Sequence, residues 1–438
     1  IDREIVDAMH RVHMGVGADY KNIILHCSKT SLSDGWGGSM MATECGDILF
    51  GTPEPLESTM NLAVLSKDKV NITLHGHNPV LSEMVLEAVK DPDLKKLAIE
   101  KGAKGINLVG VCCTGNELLM RHGIPLAGPM LDQELIIATG AVEADIVDYQ
   151  CVFPSIVSTA KCFHTKIITT SEKMKIPGGI YKEFKSESAF TTAKEIVKIA
   201  IENYPNRNHE RVQIPEKPMK VVVGFSEESI RKMLGGSYKP LIDAIVSGKI
   251  KGAVGVVGCT NPKVKQDYGN ITLEKELIKR NILVLATGCG AIGGGKAGLM
   301  LPEAAELAGD GLKSVCKALG IPPLLHMGSC VENARILIMA ANIAKELGVG
   351  IEDLPLAGAS PELYSEKGFS IAQYFASSGI FTVSGVPLKI FGSQNVTDFM
   401  TDEMENYVGA TLAVEPDPVK AADLIEAVIE KKRKKLGI

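Results

Sequence analysis

Aromatic side chains are scarce in this sequence: Phe, Trp and Tyr make up 5% of it, and Trp36 is the one tryptophan. No window approaches the run of about eighteen uninterrupted apolar residues that a membrane span requires, so no span is expected. Nothing reads as a secretory signal, which makes disulfides a poor explanation for the ten cysteines and points to the cytoplasm. No Cys-x-x-Cys occurs, which excludes zinc ribbons and local ferredoxin-type cluster loops. A strong positive charge is also missing. The net charge of −5 gives no reason to expect nucleic acid or an anionic membrane as partner. The first residue is Ile1, inside a helix-like stretch over residues 3–14, as expected of a fragment or a chain trimmed at its start.

What is present is a globular composition, 45% hydrophobic and 23% charged, with 44 glycines. Gly-rich chains of this kind are α/β proteins with many tight strand-to-helix turns. The 438 residues suggest two or three domains, at roughly 100–200 residues each. Residues 1–68 read as helices with one Gly- and Ser-rich loop, SLSDGWGGSMM at 31–41, either a surface turn with a packed Trp36 or a loop packed over a site. From residue 69 strand-like and helix-like segments alternate, which predicts right-handed βαβ units and parallel sheets covered on both faces. Residues 205–218, with three prolines and several charges, break the alternation before it restarts. The expected architecture is two Rossmann-like parallel-sheet domains, at 69–216 and 217–438, behind a short helical N-terminal segment at 1–68. The tail at 419–435 reads as an amphipathic helix whose KKRKK run is a solvated helix end.

The chemistry lies in a repeated outline, an apolar run that stops at a metal-ligating residue. NITLHGH ends at His77, INLVGVCC at Cys112 and Cys113, and ADIVDYQC at Cys151. GAVGVVGC ends at Cys259, ILVLATGC at Cys289 and PPLLHMGSC at Cys330. Binding sites in parallel α/β sheets form where strands end and loops leave for helices. A single cysteine there is most simply a small buried hydrophobe. Six cysteines and a histidine with the same outline, accompanied by Gly258, Gly288 and Gly328, point instead to loops meeting at one metal cluster. Soft thiolates with one imidazole suit iron–sulfur chemistry, nickel or zinc, and six thiolates exceed what a single zinc uses. Cys162 and Cys316 fall inside helix-like segments, while Cys27 and Cys45 sit in apolar surroundings and read as buried, inert thiols.

Other features are weaker. Gly288–Gly293 matches G-x-G-x-x-G after a strand, but the acidic residues near the required spacing, Glu303 and Glu306, fall on a helix. His75 and His77 flank one glycine; either one is a ligand or both are ordinary loop residues, and the Asn-Pro after His77 favours His77. His122 and His164 have no partner pattern, and His326 is placed to support a ligand loop. Lys367, in an SEK stretch, reads as solvent-exposed.

Taken in order, LSDGWGGSM, GTPEP, HGHNP, GVCCTGNELLMRHGIPLAG, QC, GC, TGC, GSCVENAR and SEK carry a resemblance across essentially the whole chain. The chain resembles the anaerobic nickel–iron carbon monoxide dehydrogenases of the hybrid-cluster protein and CO dehydrogenase superfamily. The resemblance implies reversible oxidation of carbon monoxide with water at a nickel–iron–sulfur cluster. By matching motifs, His77 and Cys113 would hold a displaced iron, Cys151, Cys259 and Cys289 the cubane irons, and Cys330 nickel. Cys112 would be an alternative or assembly ligand. Lys367 matches the lysine that hydrogen-bonds bound CO2, and Ile371 an apolar wall beside nickel. A ferredoxin-like electron carrier and a homodimer are also implied. Further 4Fe–4S relay clusters and a proton-shuttling histidine row would belong to an N-terminal domain, whose cysteines and histidines do not occur here. The expectation is a trimmed chain, or a form that builds the active cluster without wiring it. Ser365 stands where the family commonly has a histidine. Two other readings compete: a hybrid-cluster reductase of hydroxylamine or nitric oxide, against which the Cys112–Cys113 pair argues, and a cluster-holding redox sensor.

Overall fold

Fourteen strands and the helices between them follow the alternation of the sequence. A computed structural model describes all of residues 1–438. The chain divides into two compact units, Pro55–Val223, and Ile1–Glu54 with Gly224–Ile438.

The unit Pro55–Val223 holds an eight-stranded sheet of β1 (Leu56–Met60), β2 (Val70–His75), β3 (Ile106–Val111), β4 (Leu126–Gly128), β5 (Val142–Val147), β6 (Lys166–Thr169), β7 (Ile180–Tyr181) and β8 (Met219–Val223). The order is β7-β6-β5-β2-β3-β4-β1-β8, parallel throughout except for β8, which runs antiparallel to β1 at the edge. Every residue of β2 and β5 is buried, as expected of central strands covered on both faces. Helices Pro79–Ala88 and Ala189–Asn203 supply a core with Ile72, Leu74, Val85, Ile196 and Val197. At the opposite end of the strands Arg207 is buried. It grips Glu143 through Nε and Nη2 (2.7 and 2.6 Å) and donates to the carbonyls of Lys67 and Lys69 (2.9 and 2.7 Å). His164 meets the same carboxylate at 2.8 Å. Loss of either partner of such a satisfied buried pair costs about 3–5 kcal/mol.

The other unit holds six parallel strands: β9 (Gly252–Val256), β10 (Ile282–Thr287), β11 (Leu324–Gly328), β12 (Leu356–Ser360), β13 (Phe381–Ser384) and β14 (Leu412–Val414), in the order β11-β10-β9-β12-β13-β14. The N-terminal helices belong to this unit. Tyr20–Ser33 packs on Glu366–Ser377, burying Ile24 against Ala372 and Ala376. Gln373 Nε2 donates to Ser28 Oγ (2.7 Å), and Ser370 Oγ to Asp34 (2.7 Å).

Three local expectations fail. The Gly- and Ser-rich stretch is not a surface turn but a continuing helix. A wide π-type turn, Asp34–Ser39, joins Tyr20–Ser33 to Met40–Phe50. Gly35 lies under the Tyr374 ring, where a Cβ would come within 2.7 Å of it, and Trp36 Nε1 donates to Ser378 Oγ (2.8 Å). Cys27 and Cys45 are exposed, because their helices turn those positions outward. In the basic run of the last helix, Pro418–Leu436, Arg433 is buried and donates to the Ile245 carbonyl (2.8 Å), so that helix end is only partly solvated. No helix is long and apolar enough to cross a membrane.

Each sheet has a point where the strand order reverses, between β2 and β5 in one and between β9 and β12 in the other. Such reversals open a crevice at the carboxyl ends of the strands, where parallel α/β proteins bind ligands.

Candidate metal centre

In Pro55–Val223 the ligand candidates gather at the β2/β5 reversal. β2 ends in His75-Gly76-His77. Gly76 has φ 137°, and a Cβ there would lie 1.8 Å from Asp148 Oδ1. The room is needed because Asp148, just past β5, accepts the His77 N–H (2.8 Å to each oxygen), the Asn78 N–H (2.8 Å) and the N–H of Tyr149. Asn78 then caps the next helix through Leu81 N–H (3.2 Å). β3 runs straight into the helix Cys112–His122, whose Thr114 N–H donates to the Gly76 carbonyl (2.7 Å). Gly110 and Gly115 let that first helical turn fold back on its own strand, since a Cβ on Gly110 would sit 2.4 Å from Gly115 Cα.

This arrangement brings ligand atoms of His77, Cys112 and Cys151 within 4.8 Å of one another, with His77 Nε2 4.0 Å from Cys151 Sγ. His77, Cys112 and Cys113 are buried and Cys151 partly so. Cys112, Gln150 and Cys151 all take left-handed backbone (φ 60°, 64° and 56°). Each such non-glycine residue costs about 1–3 kcal/mol, and clusters of them mark functional sites. His75 is fully enclosed beside this group. Burial pushes its imidazole down to about 4, against the opposing pull of the Cys151 thiol, so it is neutral at neutral pH.

In the other unit three cysteines follow three adjacent strands. Cys259 leaves β9, Cys289 opens the helix Gly288–Lys296 after β10, and Cys330 follows β11. Cys289 N–H donates to the Gly258 carbonyl (3.1 Å), and Cys330 Sγ lies 4.0 Å from the same oxygen. A Cβ on Gly288 would be 2.3 Å from Cys330 Sγ, so only glycine lets that sulfur approach. The first glycine of the apparent dinucleotide motif thus serves thiol packing. The Cys330 loop is held by Glu332, which accepts Ser329 N–H (2.8 Å) and receives Arg335 Nη2 (2.9 Å). Arg335 also pairs with Asp47 through two 2.7 Å bonds, and Asn333 Nδ2 donates to the Cys330 carbonyl (2.8 Å). Burial pushes the Cys259 thiol up, with the neighbouring Cys289 sulfur adding to the effect.

Ser365 caps the helix Glu366–Ser377, accepting Gly368 N–H (3.1 Å), and lies 3.2 Å from Cys259 Sγ. Lys367 is in the first turn, half-buried rather than fully exposed, with the buried Ile371 one turn further on the same face. The other histidines have partners of their own: His122 meets Glu83 (2.9 Å), His164 meets Glu143, and His326 Nδ1 receives Gly328 N–H (3.1 Å) beside the Cys330 loop. Asp148, Glu332 and Arg335 carried no role in the sequence reading, and Ser365 stood out there only as a departure from the family. For Asp148 a signal existed, a carboxylate at a strand end three residues before a ligating cysteine.

None of the ten cysteines forms a disulfide, and five of the six at strand ends are buried. Enclosed soft donors with one imidazole fit a thiophilic metal or metal–sulfur group better than they fit a hard oxygen-seeking cation. The fold and these donor sets define a metal-binding α/β protein. The Prismane/CO dehydrogenase family matches residues 1–419. Carbon monoxide dehydrogenase 1 of Methanosarcina mazei is 59% identical over 438 residues, all of this chain and 70% of that protein. Carbon monoxide dehydrogenase 1 of Carboxydothermus hydrogenoformans is 44% identical, over all of this chain and 71% of that protein. The as-isolated, nickel-free crystal structure of carbon monoxide dehydrogenase from Thermococcus sp. AM4 superposes with a TM-score of 0.98 at 56% identity, covering 100% of this chain and 69% of that one. The chain belongs to the Prismane/CO dehydrogenase family.

Proposed function

We propose that the chain catalyses the reversible oxidation of carbon monoxide with water to carbon dioxide, two protons and two electrons. The observation that carries this reading is the donor set of buried His77 and Cys112 with partly buried Cys151, its ligand atoms within 4.8 Å, in a chain aligned over its whole length with proteins named carbon monoxide dehydrogenase. When bound, a nickel–iron–sulfur cluster supplies a metal that takes up carbon monoxide, an iron that acidifies water, and a store for two electrons. His77 and Cys113 would hold one iron of that group, Cys151, Cys259 and Cys289 its other irons, and Cys330 nickel. Cys112 would be an alternative or assembly ligand, which its place beside His77 and Cys151 supports.

The remaining side chains work through charge and shape. Lys367 Nζ carries a proton and offers it as a hydrogen bond to a substrate oxygen as negative charge develops there. Ile371, buried on the same face, keeps water from that side of the substrate. Ser365 steadies the Cys259 sulfur and starts the helix that carries the lysine. Asp148 fixes the His77 backbone while its side chain ligates. A ferredoxin-like carrier, a homodimer and a cytoplasmic setting complete the reading.

Metal analysis with a CO-dependent viologen assay tests it. Nickel near one per chain with viologen reduction is expected; an all-iron centre that turns over hydroxylamine would reject it. Lys367→Ala should keep the metal yet slow turnover by about 10²–10³, the scale for one lost charge-stabilising donor. Full activity in that variant removes the lysine from the mechanism.

A further inference from the structure

Behind the Cys259 and Cys289 loops the helix Tyr268–Lys279 carries buried oxygen atoms that the metal reading leaves unused. Glu274 is fully buried, and neither carboxyl oxygen has a hydrogen-bond partner. Asn270, one turn earlier, is buried too. Its Nδ2 donates to the Cys259 carbonyl (3.5 Å), while its Oδ1 meets no donor. Asp267, just before the helix, pairs with Lys296 (2.7 Å). Glu362, past the end of β12, accepts the N–H groups of Asp267 (3.2 Å), Gly269 (3.0 Å) and Asn270 (3.5 Å).

The helix Gly288–Lys296 is shaped around these atoms. Cβ atoms at Gly290, Gly293 and Gly294 would lie 3.7 Å from Asn270 Oδ1, 3.3 Å from Asp267 Oδ1 and 2.6 Å from Glu274 Oε2. Positions 290, 293 and 294 share one helix face, so a glycine stripe opens onto a row of acceptors. The charged groups facing Glu274 are Asp267 and Glu362, with a weaker contribution from Lys275; Lys296 is committed to Asp267. An ionised carboxylate in such a place is far costlier than a neutral acid. Burial, reinforced by Asp267 and Glu362, holds the Glu274 carboxyl well above its ordinary range, and burial pushes Glu362 up to about 7.

We propose that Glu274 and Glu362 form a buried proton-holding site coupled to the centre that the Cys259 and Cys289 loops hold. One proton from solvent adds to a carboxylate of the pair, forming an O–H bond, when that centre gains an electron; the proton leaves when the electron does. The electron comes from carbon monoxide in the proposed reaction and from dithionite in the test. Added negative charge nearby raises the proton affinity of a carboxylate, and the two groups titrate as a pair. The coupling rests on the metal reading above; the proton-holding itself does not.

Infrared spectra of the purified protein, in water and in D2O, before and after dithionite, decide the matter. A protonated-carboxyl C=O band that shifts in D2O is expected, lost in Glu274→Gln, and growing on reduction near neutral pH. Glu274→Gln keeps the size and shape of the side chain. Should it still fail to fold, Glu362→Gln gives the decision, read in an Asp145→Asn background so that the Asp145 acid adds no band of its own: a band shifted from that background supports the pair and an unchanged one overturns it. A folded Glu274→Gln protein with an unchanged band overturns the site. So does thermal stabilisation by added Na⁺ or Mg²⁺ that Glu274→Gln abolishes, because the acceptors would then hold a cation. A band indifferent to dithionite overturns the coupling. A band that responds to dithionite in a nickel-loaded protein inert to carbon monoxide leaves this site standing and removes the proposed reaction.

Discussion

At the end of β10 the left-handed turn falls on Gly288, one residue before the ligand; at the end of β3 it falls on Cys112 itself. The same contrast runs through both sheets. Gly258 (φ 102°) precedes Cys259 and Gly328 (φ 130°) lies two before Cys330, so those cysteines sit in relaxed backbone. Around β2, β3 and β5, Cys112, Gln150 and Cys151 adopt φ near 60° without being glycine. One edge is built to present thiols at no backbone cost. The other places two of its candidate ligands, Cys112 and Cys151, in strained backbone, and strain of this kind clusters at active sites, ligand clamps and switch regions. On the proposed reading, that is where two adjacent thiols would offer alternative ligation. The sheets differ in their interiors too: β5 carries the buried carboxyls Glu143 and Asp145, whereas the strands of the other sheet carry no carboxylate.

The largest effect tests that difference in the interiors. Burial pushes Asp145 up to about 7 from 3.8, partly opposed by the Thr73 hydroxyl, which donates to Oδ1 at 2.7 Å. A raised folded-state value means that stability is lost as pH climbs from the unfolded value through the folded one. The protein should therefore weaken between about pH 4 and 7 relative to Asp145→Asn, by at most roughly 4 kcal/mol. Denaturant titrations at several pH values measure this, and parallel curves would mean that Asp145 is not buried as a neutral acid. Next, Gly288→Ala should cost about 2–4 kcal/mol from backbone strain and crowding against Cys330 Sγ. Metal bound per chain should fall with it. Normal stability and metal content would show that the thiol does not need that glycine. Asp148→Ala strips the acceptor from the His77, Asn78 and Tyr149 N–H groups and should cost about 2 kcal/mol; an unchanged melting curve would show that water replaces the carboxylate fully. The smallest change is a gain. Gln150→Gly relieves one left-handed residue and should stabilise by up to about 1 kcal/mol. A clear loss would mean that the β5 edge is not strained there.

Much of this was legible because strands covered on both faces write continuous apolar runs, and a ligand at the end of a run is at the open edge of a sheet. ILVLATGC and GAVGVVGC announce both facts at once. Leu56–Met60 was not legible as a strand: LESTM is short and lies at a sheet edge, where only its pairing with β8 and β4 defines it. The π-type turn at Asp34–Ser39 was misread because glycine and serine signal turns locally, whereas here the glycine exists for contact with Tyr374. Cys27 and Cys45 were misjudged from apolar neighbours, since the helices bury those neighbours and not the thiols. Lys367 could not be found from spacing at all; its stretch looks like any exposed helix start, and only the family likeness singled it out. Glu274 was invisible for the opposite reason, because one acid in a helix of ordinary composition gives no hint that nothing will pair with it.

Ser365 has a consequence of its own. A serine hydroxyl has one hydrogen and two lone pairs. Here one lone pair takes the Gly368 N–H, and the hydroxyl lies 3.2 Å from the Cys259 sulfur. A thiol can donate to the remaining lone pair, whereas a thiolate can only accept the serine hydrogen, in a stronger, charge-assisted bond. The first turn of the lysine helix is therefore held most firmly when Cys259 is a thiolate.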